Sequence, residues 1–190
     1  MQLNFNKPIY KISLSAVFIA LATALSTVKI YQMPMGGSVT LLSMLPICLI
    51  PLLYGTKWGL ISGFAYGTAQ LVLGLNNLSY ATNALAAVTI ILFDYLLSFT
   101  VLGFSGIFLK YIKNKTVSCT LGVAVSVTLR FICHFITGVT VWRELTGFDA
   151  VIYSLLYNGS YMLPELILTV IGCLLIFKTA NIKRILNINS

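Results

Sequence analysis

Almost nothing in this chain is built to face water. Apolar runs follow one another from Tyr10 to Phe177, and most reach the roughly twenty residues that a helix needs to cross a bilayer. They fall at roughly 10–30, 40–54, 57–75, 82–109, 117–141 and 151–177. Of the 190 residues 58% are hydrophobic and only 8% charged, with a mean hydropathy of +0.96. A soluble domain carries about a quarter charged residues, so lipid must cover this exterior. The expected fold is therefore all-α, an integral membrane bundle of six transmembrane helices forming one domain over residues 1–190. The second run is short and contains Pro46 and Pro51, so it is expected to be tilted, broken or only partly inserted.

The N-terminus imitates a secretory signal: Lys7 and Lys11 precede the apolar run, and Ala22-Thr23-Ala24 resembles a cleavage site. The run continues to Val28, beyond the usual length of such a segment, and reads as the first span. With six spans and a cytoplasmic N-terminus, the inner side holds Lys7, Lys11, Lys57, Lys110, Lys113, Lys115, Lys178, Lys183 and Arg184, and the outer side only Lys29 and Arg143. Nine against two is a clear positive-inside bias, so both termini are expected in the cytoplasm. The same placement, at the ends of apolar runs, argues against nucleic acid as the reason for the net charge of +8.

Cys48, Cys119, Cys133 and Cys173 lie far apart with no CxxC pair, and there is one histidine. A disulfide framework and a zinc site are not expected. No GxxxxGK[ST], HExxH or GxSxG run occurs, so P-loop ATP hydrolysis and the common hydrolase chemistries are absent. No enzyme activity and no cofactor are expected.

Two rows of small residues recur every four positions. Gly55, Gly59, Gly63 and Gly67 run along the third span, and Ala16, Ala20 and Ala24 along the first. Such rows let helices approach closely in lipid. Internal packing is the expectation for the glycines, whereas the alanines fit packing or another protein equally well.

Polar groups inside spans are costly and mark sites. They are Asp94 in span four, Arg130 and His134 in span five, and Asn158 and Glu165 in span six; Glu144 and Asp149 lie in the loop between spans five and six. A rise of 1.5 Å per residue puts Asp94 roughly 15–18 Å below the outer surface and His134 and Asn158 each roughly 10 Å below it. His134, Gly138 and Trp142 share one helix face, and Tyr153, Tyr157, Tyr161 and Asn158 crowd one stretch of span six. Three helices thus bring polar and aromatic groups to similar depth, which predicts a pocket in the outer half. A carboxylate among aromatic rings suits an organic cation, His134 and Asn158 suit a polar heterocycle, and Gly138 would leave room for a flat ring. Structural roles compete: Asp94 as partner of Arg130 or His134, Trp142 as an interfacial belt residue, His134 as packing, and Glu165 as a structural group below the cluster.

The segments ALATALS (Ala20–Ser26), MGGSVTLLSMLPI (Met35–Ile47), FDYLLSF (Phe93–Phe99), HFITGVTVW (His134–Trp142) and YSLLYNGSYMLP (Tyr153–Pro164) resemble the thiamine-specific substrate-binding component of energy-coupling factor (ECF) transporters. The likeness covers nearly the whole chain, and HFxxGxxxW followed by YNGSYM is its specific part. It implies a bacterial plasma-membrane bundle that captures thiamine from outside with high affinity and associates with a membrane scaffold subunit and two cytoplasmic ATPases. It also implies scaffold contact through Ala16, Ala20 and Ala24, and a pocket of Asp94, Tyr95, His134, Gly138, Trp142, Tyr153 and Asn158, with Tyr80 as a looser correspondence. The family often has glutamate where this chain has Asp94, and some members carry a tryptophan in the first loop, where this chain reads Met33-Pro34-Met35-Gly36-Gly37. The alternatives are a component for another heterocyclic vitamin or pyrimidine precursor, an intramembrane acid–base enzyme using Asp94 and His134, and a purely structural subunit.

Overall fold

A computed structural model describes residues 7–142 and 149–178. Arg143, Glu144, Lys183 and Arg184 lie outside the described residues. The chain runs through helix α1 (Pro8–Thr27), a hairpin of β1 (Lys29–Gln32) and β2 (Ser38–Thr40), then α2 (Leu45–Tyr54), α3 (Thr56–Leu73), α4 (Ala84–Lys110), α5 (Lys115–Thr140) and α6 (Ala150–Lys178). Helices α1, α4, α5 and α6 are each long and apolar enough to cross a membrane. Their length and apolarity suit a bundle set in a bilayer.

The helical fold has one non-helical element, a hairpin in the first loop. Lys29 pairs with Thr40, Tyr31 with Val39 and Gln32 with Ser38, with an irregularity between Lys29 and Tyr31. The strands meet around a tight turn at Pro34–Gly36, where Met35 and Gly36 take φ of 63° and 96°. Gly36 makes that turn cheap, because a left-handed φ carries no Cβ penalty at glycine. The second apolar run is helical only from Leu45, since Thr40 ends a strand and Leu42 has φ 59°. The remaining ten residues rise roughly 15 Å, about half of a hydrocarbon core.

The direction of each helix follows from its contacts. Trp58 Nε1 donates to Ser15 Oγ (2.8 Å), Tyr66 Oη to the Ala22 carbonyl (3.4 Å) and Gln70 Nε2 to Ser26 Oγ (3.0 Å), so α1 and α3 run parallel. Along α3, Gly59, Gly63 and Gly67 lie against Gly103, Phe99–Thr100 and Tyr95–Leu96 of α4, an antiparallel crossing. A Cβ at Gly63 would sit 2.6 Å from the Phe99 carbonyl oxygen, so Gly59, Gly63 and Gly67 serve internal packing, whereas the fourth expected member, Gly55, is exposed with nothing within 4 Å and turns the chain into α3 with φ 87°. Gly122 of α5 lies on Ser105 of α4, and Gly138 of α5 on Ser154 of α6, so these neighbours also alternate in direction. Lys7, Lys57, Lys110 and Lys178 therefore gather at one end of the bundle, and the hairpin and the 75–80 turn at the other.

The alanine row turns outward. Ala16, Ala20 and Ala24 are exposed, while Ser15 and Ala22 on the opposite face of α1 are buried. Elsewhere the core is apolar and continuous, with Ile47, Ile50, Tyr66, Ile90, Leu102, Val123 and Phe177 all inaccessible.

Candidate functional site

Asp94 sits where α4 is not a regular α-helix. Residues Ile90–Leu96 form a π-helical stretch, a widening that frees carbonyls and often marks a site. Ser98 Oγ answers two of those carbonyls, donating to Asp94 O (2.7 Å) and to Tyr95 O (3.2 Å). The Asp94 carboxylate then reaches α5. Oδ1 lies 3.0 Å from His134 Nδ1, and Oδ2 accepts from Trp142 Nε1 at 3.2 Å.

The protonation pattern follows from the next contact. Arg130 Nε donates to His134 Nε2 at 3.2 Å, and a ring nitrogen that accepts carries no proton. His134 is therefore neutral with its proton on Nδ1, where it donates to Asp94. Arg130 lies one turn before His134 on α5, with its guanidinium over the Phe99 ring at 4.0 Å from the centroid. Arg130, His134, Asp94 and Trp142 thus form one connected chain across α4 and α5. It orients both carboxylate oxygens without a formal cation touching them.

Two stripes of α6 complete the site. Ser154 and Asn158 face α5: Asn158 Nδ2 donates to the His134 carbonyl (3.1 Å) and to Ser154 Oγ (3.0 Å), and Asn158 Oδ1 accepts from Tyr161 Oη (2.8 Å). Tyr153, Tyr157, Tyr161 and Glu165, spaced by four, face the hairpin. Tyr153 Oη donates to Met35 Sδ (3.3 Å), and Tyr157 Oη bonds the Pro34 carbonyl and accepts from Gly37 N (3.1 Å). A Cβ at Gly37 would stand 2.9 Å from Tyr157 Oη and from the Tyr161 ring, so only glycine lets the hairpin close this tightly. Deeper down, Thr40 N and Oγ1 donate to Glu165 Oε1 at 2.5 and 2.6 Å.

These elements enclose a cavity of about 480 Å³, a size suited to a small ligand. Asp94, Tyr95, His134, Gly138, Trp142, Tyr153 and Asn158 all line it. Tyr80 stands outside, 40% exposed, with its ring 5.4 Å from that of Trp142. The structure alters several expected roles. Gly138 does not leave room for a ring, because a Cβ there would fall 2.2 Å from Ser154 Oγ; its missing side chain admits α6 instead. Tyr95 Oη accepts from Asn77 Nδ2 (2.8 Å) and donates to the Gly74 carbonyl (3.0 Å), holding the 75–80 turn. Both ring nitrogens of His134, and both N–H bonds of the Asn158 amide, are already engaged within the protein.

Sequence reasoning missed part of the lining. Gln70 and Ser26 close one wall, and a polar amide inside an apolar run was the available signal. The hairpin residues Met35 and Gly37 also line the cavity, signalled only by turn chemistry. Among the described residues, no group of three His, Cys, Asp or Glu could hold a metal.

Comparison with known proteins gives a consistent result. Residues 12–185 match the family described as "Thiamine transporter protein (Thia_YuaJ)". The chain is 33% identical to the thiamine transporter ThiT of Bacillus subtilis (strain 168), covering 94% of this chain and 95% of that protein. It also superposes on ThiT of Listeria monocytogenes with a TM-score of 0.75 at 21% identity, over 95% of this chain and 99% of the other, a likeness of fold. The family is one of transport proteins, not enzymes. On its sequence match over nearly the full length, the chain belongs to the thiamine transporter protein family.

Proposed function

We propose that the chain is the thiamine-binding membrane subunit of an ECF-type importer. It captures thiamine from the extracellular side of the bacterial plasma membrane with high affinity, and partner subunits drive uptake with ATP. The observation that carries the binding role is the Asp94 carboxylate at the cavity wall, with His134 on one oxygen and Trp142 on the other. Its negative charge, in surroundings of low dielectric, favours an organic cation such as a thiazolium. Trp142 and Tyr153 supply ring faces for the ligand's rings. His134 and Asn158 act chiefly by fixing Asp94 and the α5–α6 contact.

Six crossings with both termini cytoplasmic agree with the gathering of lysines at one end of the bundle. In that orientation the cavity and hairpin face outward. The outward alanine row of α1 is the proposed contact for the membrane scaffold, and the ATPases complete the machine, since this chain has no P-loop.

The test is thiamine binding to the purified, detergent-solubilised chain, followed by quenching of its two tryptophans, Trp58 and Trp142. Saturable quenching at submicromolar thiamine is expected. In Asp94→Asn the affinity should fall by a few kcal/mol, on the order of a hundredfold or more. Unchanged affinity in that variant would remove Asp94 from the site. Absence of binding in folded wild-type protein would discard thiamine and leave another heterocyclic ligand as the alternative.

A further inference from the structure

The charge of the cavity wall hangs on one imidazole. His134 is 8% exposed, and its Nδ1 lies 3.0 Å from Asp94 Oδ1. A histidine beside a carboxylate ordinarily takes a second proton close to neutral pH. The imidazolium so formed would offset the charge of Asp94, and a ligand cation would then compete with a proton for the same carboxylate.

Arg130 stands in the way of that proton. Its Nε–H donates to His134 Nε2 across 3.2 Å. A guanidinium has no acceptor and stays charged at any ordinary pH. Protonating Nε2 would therefore set two N–H bonds head to head and bring two like charges into contact. The guanidinium is also held in place, because it lies over the buried Phe99 ring at 4.0 Å from the centroid. The other groups around the imidazole come from α4 and α6, the helices packed on α5. From α4 come Asp94 and Tyr95, and the Tyr95 hydroxyl is spent on Asn77 and Gly74. From α6 comes Tyr161, its ring centroid 6.0 Å from that of His134 and its hydroxyl given to Asn158. Glu165, further along α6, is within electrostatic reach of Arg130. Of these groups only Arg130 bonds Nε2.

We infer that Arg130 is a positioning residue that keeps His134 neutral, and so keeps the Asp94 carboxylate free for a cation when the medium turns acidic. It acts on the ligand through His134 and Asp94. The choice of ligand rests on the thiamine reading above, whereas the state of the imidazole does not.

The experiment compares thiamine affinity in wild type, Arg130→Met and Arg130→Lys at a series of pH values between about 6 and about 8. Arg130→Met keeps an unbranched chain over Phe99 and removes both the charge and the donor. The ratio of its dissociation constant to that of wild type should widen toward acid, by on the order of tenfold across that range. The loss falls on the acid side because there the unguarded imidazole carries the proton. Taking the ratio removes any titration that the two proteins share, whether of Glu165 or of the ligand. Arg130→Lys retains a charged donor and should hold the ratio level. A loss in Arg130→Met that is the same at every pH would overturn the inference and leave Arg130 as a packing or contact residue. A second measurement needs no ligand: the chain has one histidine, so NMR of the tag-free protein with isotope-labelled histidine reads His134 alone. Wild type should show a single ring proton, on Nδ1, throughout the range, and Arg130→Met should pass to the imidazolium on acidification. An imidazolium in wild type, or a proton on Nε2, overturns the inference whether or not Arg130→Met folds. Failure of wild type to bind thiamine rejects the ligand reading instead, and the NMR spectrum then decides the role of Arg130.

Discussion

Helices α1 and α6 look alike in the sequence and do opposite work in the fold. Both are long and apolar enough to cross a membrane, and both carry a stripe repeating every four residues. On α1 the stripe is Ala16, Ala20 and Ala24, which the described residues leave exposed. On α6 it is Tyr153, Tyr157, Tyr161 and Glu165, and its members bond the hairpin at Met35, Pro34, Gly37 and Thr40 or face the cavity. Far less of α1 than of α6 is buried inside the protein. A repeat of four thus states only that one face is special. What the face is for depends on the residue type and on what the rest of the chain brings against it: on α6 large amphipathic rings pack on the hairpin, and on α1 small residues are left bare.

Three substitutions would break or sharpen that contrast. The largest effect is expected in the crossing that seats α6. Gly138→Leu would drive a side chain into Ser154 and Asn158, and overpacking of this kind costs about 1–3 kcal/mol or more. The melting temperature of the detergent-solubilised chain should fall, and thiamine affinity with it. A variant that melts and binds as wild type would show that α6 is not seated there. A smaller effect is expected of Tyr157→Phe, which keeps the ring and removes the hydroxyl joined to Pro34 and Gly37. A buried hydrogen bond is worth about 1 kcal/mol, so ligand dissociation in stopped-flow quenching should quicken by roughly fivefold. An unchanged off-rate would mean that the hairpin does not hold the ligand in. The smallest effect on the isolated chain belongs to α1. Ala20→Leu adds bulk to an exposed face, where changes usually fall within ±0.5 kcal/mol, and thiamine affinity should stay within about twofold. Co-purification with the scaffold subunit should drop sharply in the same variant. Intact assembly would deny the alanine face its role, and lost affinity would show that α1 reaches the site.

Much of the site was legible in the sequence because membrane burial makes polar residues rare. Asp94, His134 and Asn158 stood out against apolar runs, and helical spacing put His134, Gly138 and Trp142 on one face. What was not legible was how their bonds divide. Asn158 reads as a ligand-binding amide until its partners are seen to be Ser154, Tyr161 and the His134 carbonyl. Gly138 reads as space for a ligand until α6 is seen to fill it. Spacing along one helix fixes direction and depth, but the occupant of each hydrogen bond comes from another helix.

The hairpin marks the same boundary at the level of fold. Lys29–Gln32 and Ser38–Thr40 straddle the gap between the first two expected spans, 10–30 and 40–54, so hydropathy read them as span ends and a loop. Their strand geometry depends on the turn at Met35 and Gly36 and on the bonds from Tyr157 and Glu165, more than a hundred residues away.

By itself the sequence determined the solvent and singled out the polar groups within apolar runs, because apolar length responds to the bilayer rather than to any one contact. Only the tertiary structure decided which stripe is covered, which glycines are crossings and how the bonds of the polar groups divide among the helices. Those outcomes depend on atoms meeting within a few ångströms across helices, and no local pattern encodes that distance.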